Sequence, residues 1–203
     1  MGRPGKFTED RILDAAMAIT AEEGPAAATM AAIAGRLGAP TGSLYHRFAS
    51  RDLLMAALWL RGVRRFQHGV VEALAAADVE AAALHTPRWC RDHLAEAATV
   101  LLHRRELVAR WPGELAGELE GVNTGLSAAL DACAARLPGV GRERLVFAVV
   151  DLPYGAVRRH LMAGQPPPPL VDELVARACR AVLEPVPEQE EEETAVGSRV
   201  RGG

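Results

Sequence analysis

The chain has 203 residues, of which 49% are hydrophobic and only 4% aromatic, so its core must be built mainly from alanine, leucine and valine. This composition favours an all-α fold over a sheet, because Ala and Leu are strong helix formers and aromatic strand formers are scarce. The formal net charge of -3 argues against a non-specific nucleic-acid coat. No apolar run of about 18 residues is present, so we expect no membrane contact, and the polar residues 1–10 lack the apolar segment of an export signal.

The cysteines Cys90, Cys133 and Cys179 are odd in number and widely separated. Their spacing fits neither a disulfide framework nor a metal site, so we expect three small buried residues in a reducing cytoplasm. Neither a metal nor a cofactor is predicted.

Three short helices are predicted in the first fifty residues. Thr8 is a favourable N-cap for the first helix, which closes at Gly24, and Thr29 is a favourable N-cap for the second. The third begins at Pro40 and runs to Phe48. The expected inward-facing residues are Ile12, Ala16 and Ile19, then Met30, Ile33, Ala34 and Leu37, then Leu44 and Phe48.

Helical periodicity continues through the rest of the chain. Ser50 should cap a helix that reaches about Ala76, and further helices are expected over residues 86–111, 113–137, 142–163 and 170–183. Pro153 should bend the helix that contains it, because proline cannot donate a hydrogen bond to the carbonyl of the residue four positions earlier. The four prolines at 166–169 predict an extended connector. We therefore predict a helix-turn-helix domain over 1–50, a helical ligand-binding and dimerisation domain over 51–184 and an acidic, disordered tail over 185–203.

The second and third helices have the pattern of a helix-turn-helix, in which one helix is held rigidly so that the other enters the DNA major groove. If Leu44 and Phe48 point inward, the intervening side chains must point largely outward; these are Thr41, Ser43, Tyr45 and His46. Gly42 leaves room for close approach to the duplex backbone. The first backbone N–H groups of this helix suit a phosphate.

The surface charge of this region also favours DNA. Residues 24–51 contain no Asp or Glu, although they include Arg36, Arg47, Arg51 and His46. The absence of carboxylates from so long a stretch predicts a surface that faces an anionic partner.

Runs of residues in this part of the chain resemble the DNA-binding headpiece of the TetR (tetracycline-repressor) family. They are RILDAA at 11–16, EG at 23–24, TMAAIA at 29–34, LGAPTGSLYHRF at 37–48 and RDLL at 51–54. The resemblance covers about the first quarter of the chain closely. The remainder is similar only in length, helix content and layout.

The resemblance implies roles for individual residues. Thr29 would cap its helix and touch a phosphate, and Pro40, Thr41 and Ser43 would lie closest to base edges. Tyr45 and His46 would contact phosphate and base, Arg47 and Arg51 would bind phosphates, and Arg3 and Lys6 would form an N-terminal arm. Many relatives have Val-Ser where this chain has Ala39-Pro40. The third helix therefore lacks a side-chain cap, and base preferences cannot be transferred.

The resemblance further implies a homodimer that binds a palindromic double-stranded operator and is released by a small-molecule ligand. Apolar residues of the last two helices look like the family's four-helix dimer interface, although they could instead pack only within the monomer. They are Leu145, Val149, Leu152, Ala156 and Leu161, then Leu170, Leu174, Ala178 and Val182. Candidate pocket residues combine aromatic walls with polar groups, and each has an alternative as a core or solvated residue: Trp89, His93, Trp111, Asn123 and Tyr154.

Two other classes of function compete with a ligand-responsive repressor. An enzyme is not expected, because the chain has no glycine-rich phosphate loop, no H-E-x-x-H motif and no Gly-x-Ser-x-Gly elbow. Asp151 and His160 are the nearest to a catalytic pair, and no nucleophile accompanies them. The other alternative is a helical interaction module or ligand-binding protein that does not act through DNA.

Overall fold

The computed structural model describes residues 7–102 and 113–184, and these residues form helices and turns without strands. The helices are α1 (Glu9–Glu23), α2 (Met30–Leu37), α3 (Thr41–Tyr45), α4 (Arg51–Ala75), α5 (Val79–Asp92), α6 (Leu94–Leu102), α7 (Ala116–Gly121), α8 (Thr124–Ala135), α9 (Arg142–Val146), α10 (Leu152–Met162) and α11 (Leu170–Leu183). Short 3-10 turns lie at Pro25–Ala27 and Gly113–Leu115, and a π turn at Phe147–Asp151 joins α9 to α10. The prediction of an all-α fold, with a helix-turn-helix headpiece and a C-terminal helical domain, is confirmed.

The predicted caps form at the starts of α1 and α2. The Thr8 hydroxyl accepts a hydrogen bond from the backbone N–H of Arg11, and the Thr29 hydroxyl accepts one from the N–H of Ala32 at 3.1 Å. Gly38 ends α2 in the left-handed region, at φ 60°, which a residue without a Cβ adopts at low cost. The turn between α2 and α3 is therefore as tight as the sequence predicts.

The headpiece has its own hydrophobic cluster, formed by α1, α2, α3 and the start of α4. All the residues predicted to face inward in α1 and α2 are buried except Leu37, which is half-buried: Ile12, Ala16, Ile19, Met30, Ile33 and Ala34. Leu44 and Phe48 complete the cluster. A small core of this kind holds the helix pair rigidly, as a helix-turn-helix requires.

The helix α4 belongs to both hydrophobic clusters. Ser50 caps it, and Leu54 and Leu58 pack into the headpiece cluster. From Trp59 onward its buried side chains join the larger cluster of the body. A single 25-residue helix thus connects the two parts, and a domain boundary at residue 50 stays a prediction.

The body departs from the predicted helix over 86–111. The Asp78 carboxylate accepts a hydrogen bond from the N–H of Ala81, so α5 begins at Val79 and runs through Pro87. It ends at Asp92, because His93 leaves the helical region at φ -131° and α6 begins immediately afterwards. The rest of the predicted helix, 103–112, lies outside the described residues.

Two further predicted helices also take a different form. The expected helix over 113–137 is divided into a 3-10 turn, α7 and α8, with a break at Val122 and Asn123. The run from α9 to α10 continues past Pro153, because the π turn before it places the backbone N–H of Leu152 on the carbonyl of Phe147. The wider turn accommodates a residue that has no N–H to donate.

At the centre of the body, α5 packs against α4, α10 and α11. Residues 165–168 between α10 and α11 are non-helical, as the prolines predict. Arg91 on α5 holds this connector, donating to the carbonyl of Pro167 at 2.9 Å and pairing with Asp172 at the start of α11. None of the described helices is both long enough and apolar enough to cross a membrane.

The predicted dimer face needs a correction. Leu145, Val149 and Leu161 are buried in the body core of the single chain, so they pack within the monomer. The large apolar side chains that these helices leave exposed are Phe147, Met162, Leu170 and Leu174. The three cysteines are free and buried, as predicted.

Candidate nucleic-acid interface and ligand groove

Successive residues of α3 face opposite environments. Leu44 has no exposed surface and packs into the headpiece cluster, whereas Tyr45 is 51% exposed. Thr41, His46 and Arg47 are also exposed, and Ser43 is half-buried. These side chains are therefore open to solvent, as the inward orientation of Leu44 and Phe48 predicts, and their contact with DNA stays a prediction.

The start of α3 has the weak cap that the Ala39-Pro40 departure predicts. Pro40 occupies the N-cap position in an extended conformation and supplies no side-chain hydrogen bond. The helix is shorter than predicted, ending at Tyr45 instead of Phe48. Phe48 nevertheless stays buried, because its backbone N–H bonds the carbonyl of Leu44 at 2.9 Å and continues the turn.

The arginines of the carboxylate-free stretch have different environments. Arg36 forms a bidentate ion pair with Glu22 of α1, in which its two terminal nitrogens lie 2.7 and 2.6 Å from the two carboxylate oxygens. The hydrogen bond from Arg36 holds the pKa of the Glu22 carboxyl below its usual value. The surface around α2 is therefore less positive than the sequence of 24–51 suggests, because a carboxylate from outside the stretch reaches it.

Arg51 holds the connection between α1 and α2 together. Its Nε donates to the carbonyl of Ala28 at 2.9 Å, and its Nη2 donates to the carbonyl of Pro25. These carbonyls lie beside the Thr29 cap, so Arg51 supports the position of α2 in the headpiece. A phosphate contact from Arg51 stays a prediction.

Two of the five candidate ligand residues come together in the body. Trp89 and His93 lie on adjacent turns, with ring centroids 5.5 Å apart, and line one groove. The Asn123 side chain accepts a hydrogen bond from Gln67 at 2.8 Å and lies on the exposed surface. Tyr154 is half-buried and its hydroxyl donates to the carbonyl of Leu101 at 3.4 Å. Trp111 lies outside the described residues.

The groove has a volume of 510 Å³ and is lined by α4 as well as α5. Its lining residues are Arg64, Arg65, His68, Trp89 and His93. The α4 contribution was not predicted, although the mixture of basic and aromatic residues over 64–68 could have indicated it. Phe66 lies behind Trp89, at a ring-centroid distance of 5.1 Å, and fixes the indole from the core side.

A second cavity, of 430 Å³, lies between the headpiece and the body. Glu9 and Leu13 of α1, Arg47, Arg61 of α4 and Glu118 of α7 are among its lining residues. Arg61 Nη2 lies 2.9 Å from Asp14 Oδ1, so α4 and α1 are joined by an ion pair at this junction.

Among the described residues, no group of three or more His, Cys, Asp or Glu side chains is arranged to hold a metal ion.

The sequence of the headpiece matches a family model. Residues 12–58, from the first buried residue of α1 to Leu58 of α4, match the model for bacterial regulatory proteins of the tetR family. The headpiece of this chain is therefore similar to the DNA-binding part of tetR-family regulators. No curated protein matches the sequence.

Solved structures extend the likeness to the body. The fatty acid degradation regulator FadR from Bacillus halodurans has a TM-score of 0.65 at 16% identity, over 89% of this chain and 100% of that one. A TetR family transcription regulator from Marinobacter aquaeolei VT8 has a TM-score of 0.64 at 16% identity, over 86% and 94%. The multidrug binding protein EbrR, complexed with imidazole, has a TM-score of 0.58 at 21% identity, over 92% and 93%. The chain thus has a TetR-type fold through headpiece and body.

Proposed function

We propose that this chain is a TetR-family transcriptional repressor, not an enzyme. It binds a palindromic operator as a homodimer and leaves the operator when a small molecule binds the body. The observation that carries the proposal is the exposure of Tyr45 beside the fully buried Leu44. A large aromatic side chain left in solvent at the end of a rigidly held helix is available to a partner. A DNA-bound regulator of this kind acts in the cytoplasm.

The DNA surface in this proposal is formed by α3 and the turns around it. Thr41, Gly42 and Ser43 occupy its first turn, next to Pro40, and approach base edges or the backbone. Tyr45, His46 and Arg47 follow on the exposed side, and Arg47 supplies a positive charge for phosphate. The Thr29 hydroxyl caps α2, and Thr29 is exposed at the start of that helix. In this proposal Thr29 lies against a phosphate of the DNA backbone.

The dimer surface in this proposal is the exposed apolar face of α10 and α11 with the preceding π turn. Its four large side chains are between 48% and 62% exposed: Phe147, Met162, Leu170 and Leu174. Apolar side chains of this size, gathered near the C-terminus of a helical body, are typical of an interface between subunits. A second copy of the chain places a second α3 in the next major groove of the DNA. Because the two copies are related by a two-fold axis, the operator consists of two inverted half-sites.

The ligand in this proposal binds in the groove at Trp89 and His93. Headpiece and body share α4, and Arg64 and Arg65 of that helix line the groove while Arg61 pairs with Asp14 of α1. A ligand that binds better to one orientation of α4 changes the population of headpiece positions in proportion to that preference.

A DNA-binding measurement tests the proposal. We expect the purified chain to shift the DNA that lies upstream of its own gene as a dimer, and the affinity to fall steeply between about 50 and 200 mM salt, because phosphate contacts release counterions. A fragment of equal length and composition with a shuffled sequence should bind more weakly. If no complex forms at low salt, the chain is instead a helical interaction or ligand-binding protein.

A further inference from the structure

The groove at Trp89 has an unusual charge balance. Its described lining residues are one indole and four basic side chains: Arg64, Arg65, His68 and His93. No described carboxylate lines it. Its volume of 510 Å³ suits a small molecule. Carboxylates outside the lining lie beside three of these groups, since Glu118 pairs with Arg64, Glu96 pairs with Arg65, and Glu72 lies 3.3 Å from His68 Nε2. An organic anion would bind by replacing one of these carboxylates on its basic partner.

The two arginines are held differently. Arg65 pairs at 3.2 Å with Glu96, a carboxylate that is buried against α4, so releasing Arg65 would leave a buried charge without its partner. Arg64 pairs at 2.6 Å with Glu118, and both side chains are largely in solvent, at 58% and 44% exposed. Surface pairs of this kind contribute little stability and exchange partners readily. Arg64 is therefore the arginine that is free to change its partner.

The apolar wall of the groove is rigid. The Trp89 ring contacts two other rings, Phe66 at a centroid distance of 5.1 Å and His93 at 5.5 Å. Trp89 itself is mostly buried, so its orientation is set by the core and does not depend on a ligand. The fixed edge of the indole can pack against a flat apolar part of a ligand, while the neighbouring guanidinium groups bind an acid group on the same ligand.

We propose that the groove binds a small organic carboxylate with a planar apolar body. The ligand's carboxylate replaces Glu118 as the ion-pair partner of Arg64 and accepts a hydrogen bond from an imidazole N–H of His68 or His93. The apolar part of the ligand lies against Trp89. Arg65 keeps Glu96 and adds positive charge. The inference rests on the proposed function, in which the body responds to a small molecule, and it assigns the chemical class of that molecule.

Calorimetry with three matched probes tests the ligand class: 2-naphthoate, 2-naphthylmethylammonium and 2-naphthalenemethanol. On the full chain at pH 7.5 we expect 2-naphthoate to bind at least about tenfold more tightly than either of the others, a difference of about 1.4 kcal/mol. The proposal is overturned if the ammonium compound binds as tightly as the carboxylate, or if 2-naphthoate does not bind below about 1 mM.

Arg64→Gln and Arg88→Gln form a matched pair of variants. Arg88 lies on α5, is 57% exposed and pairs with Asp172 at 3.5 Å, but does not line the groove. Arg64→Gln should weaken 2-naphthoate binding at least about fivefold and Arg88→Gln less than about twofold. Equal effects would overturn the assignment of Arg64. The natural chain separates the two proposals. If it binds its operator but not 2-naphthoate, this inference alone is rejected, whereas 2-naphthoate binding without operator binding rejects the repressor function alone.

Discussion

The ring of His85 on α5 occupies the space that a side chain at Gly69 on α4 would need. A Cβ built at Gly69 lies 2.3 Å from His85 Cε1, closer than two such atoms approach. Phe66, one turn earlier on α4, contacts the same ring with centroids 5.5 Å apart. The glycine thus allows α4 and α5 to pack around a half-buried imidazole, beside the Phe66 ring that also contacts Trp89 of the proposed ligand groove.

Gly69→Ala should lower the free energy of unfolding by about 1–3 kcal/mol, because the added methyl group overpacks this contact. Chemical denaturation of the purified chain measures the effect. Gly117→Ala on α7 is the matched control, since nothing lies within 4 Å of its Cβ position and Ala is the better helix former. Equal stability of the two variants would show that α4 and α5 are not packed as described.

Burial of His85 makes stability depend on pH. Desolvation lowers the pKa of this imidazole below its usual value, so below about pH 6.5 the unfolded chain binds more protons than the folded chain. The free energy of unfolding should therefore fall as the pH is lowered from 7.5 to 5.5. A hydrogen bond with the Phe66 backbone and, more weakly, the charge of Glu72 oppose this lowering of the pKa. The neighbouring His68 and His93 reinforce it.

The variant His85→Gln tests the cause of this dependence. Urea denaturation at both pH values should show a smaller loss of stability for the variant than for the natural chain, because the variant has no imidazole to protonate on unfolding. Identical losses would mean that His85 is not the group responsible.

Leu44 and Tyr45 are adjacent but should respond differently to truncation. Leu44→Ala removes a fully buried side chain and should cost about 2–5 kcal/mol of stability. Tyr45→Ala removes an exposed one and should change stability by less than about 0.5 kcal/mol. Thermal or urea denaturation compares the two. If Tyr45→Ala were as destabilising as Leu44→Ala, Tyr45 would belong to the scaffold and not to the DNA surface.

Leu174→Asp on α11 should convert the proposed dimer to a monomer, because it places a charge among the exposed apolar side chains of α10 and α11. Light scattering after size-exclusion chromatography measures the mass, and operator affinity should fall with it. Ala132→Asp, on the exposed side of α8, is the control for an added surface charge. A dimer that survives Leu174→Asp would move the interface to another face.

Local patterns predicted the headpiece better than the body. The spacing of Ile33, Leu44 and Phe48, the Thr29 cap and Gly38 act within a few residues of one another, so the sequence suffices to locate α2 and α3. The predicted start of the helix over 86–111 was wrong, because α5 begins at Val79. Asp78 had already capped the helix eight residues earlier, and the body core keeps it helical through the proline.

The proposed dimer face and the proposed ligand groove depend on packing between residues that are distant in the sequence. Leu145 and Leu174 are both apolar and lie on neighbouring helices, yet one fills the core and the other is exposed. Periodicity alone cannot choose between these two faces of a helix when each is apolar. Arg64 reaches the groove only because α4 packs beside α5, a relation that no short motif encodes.

The most direct test of the account is the operator affinity of the double variant Tyr45→Ala and Arg47→Ala, measured by fluorescence anisotropy at low salt. Arg142→Ala, on α9 in the body and paired with Asp131, is the control for loss of one positive charge. We predict that the double variant keeps its fold by circular dichroism and loses more than about tenfold in affinity, while the control stays within about twofold. An affinity of the double variant within about threefold of the natural chain would contradict the assignment of α3 and its following turn as the DNA-reading surface.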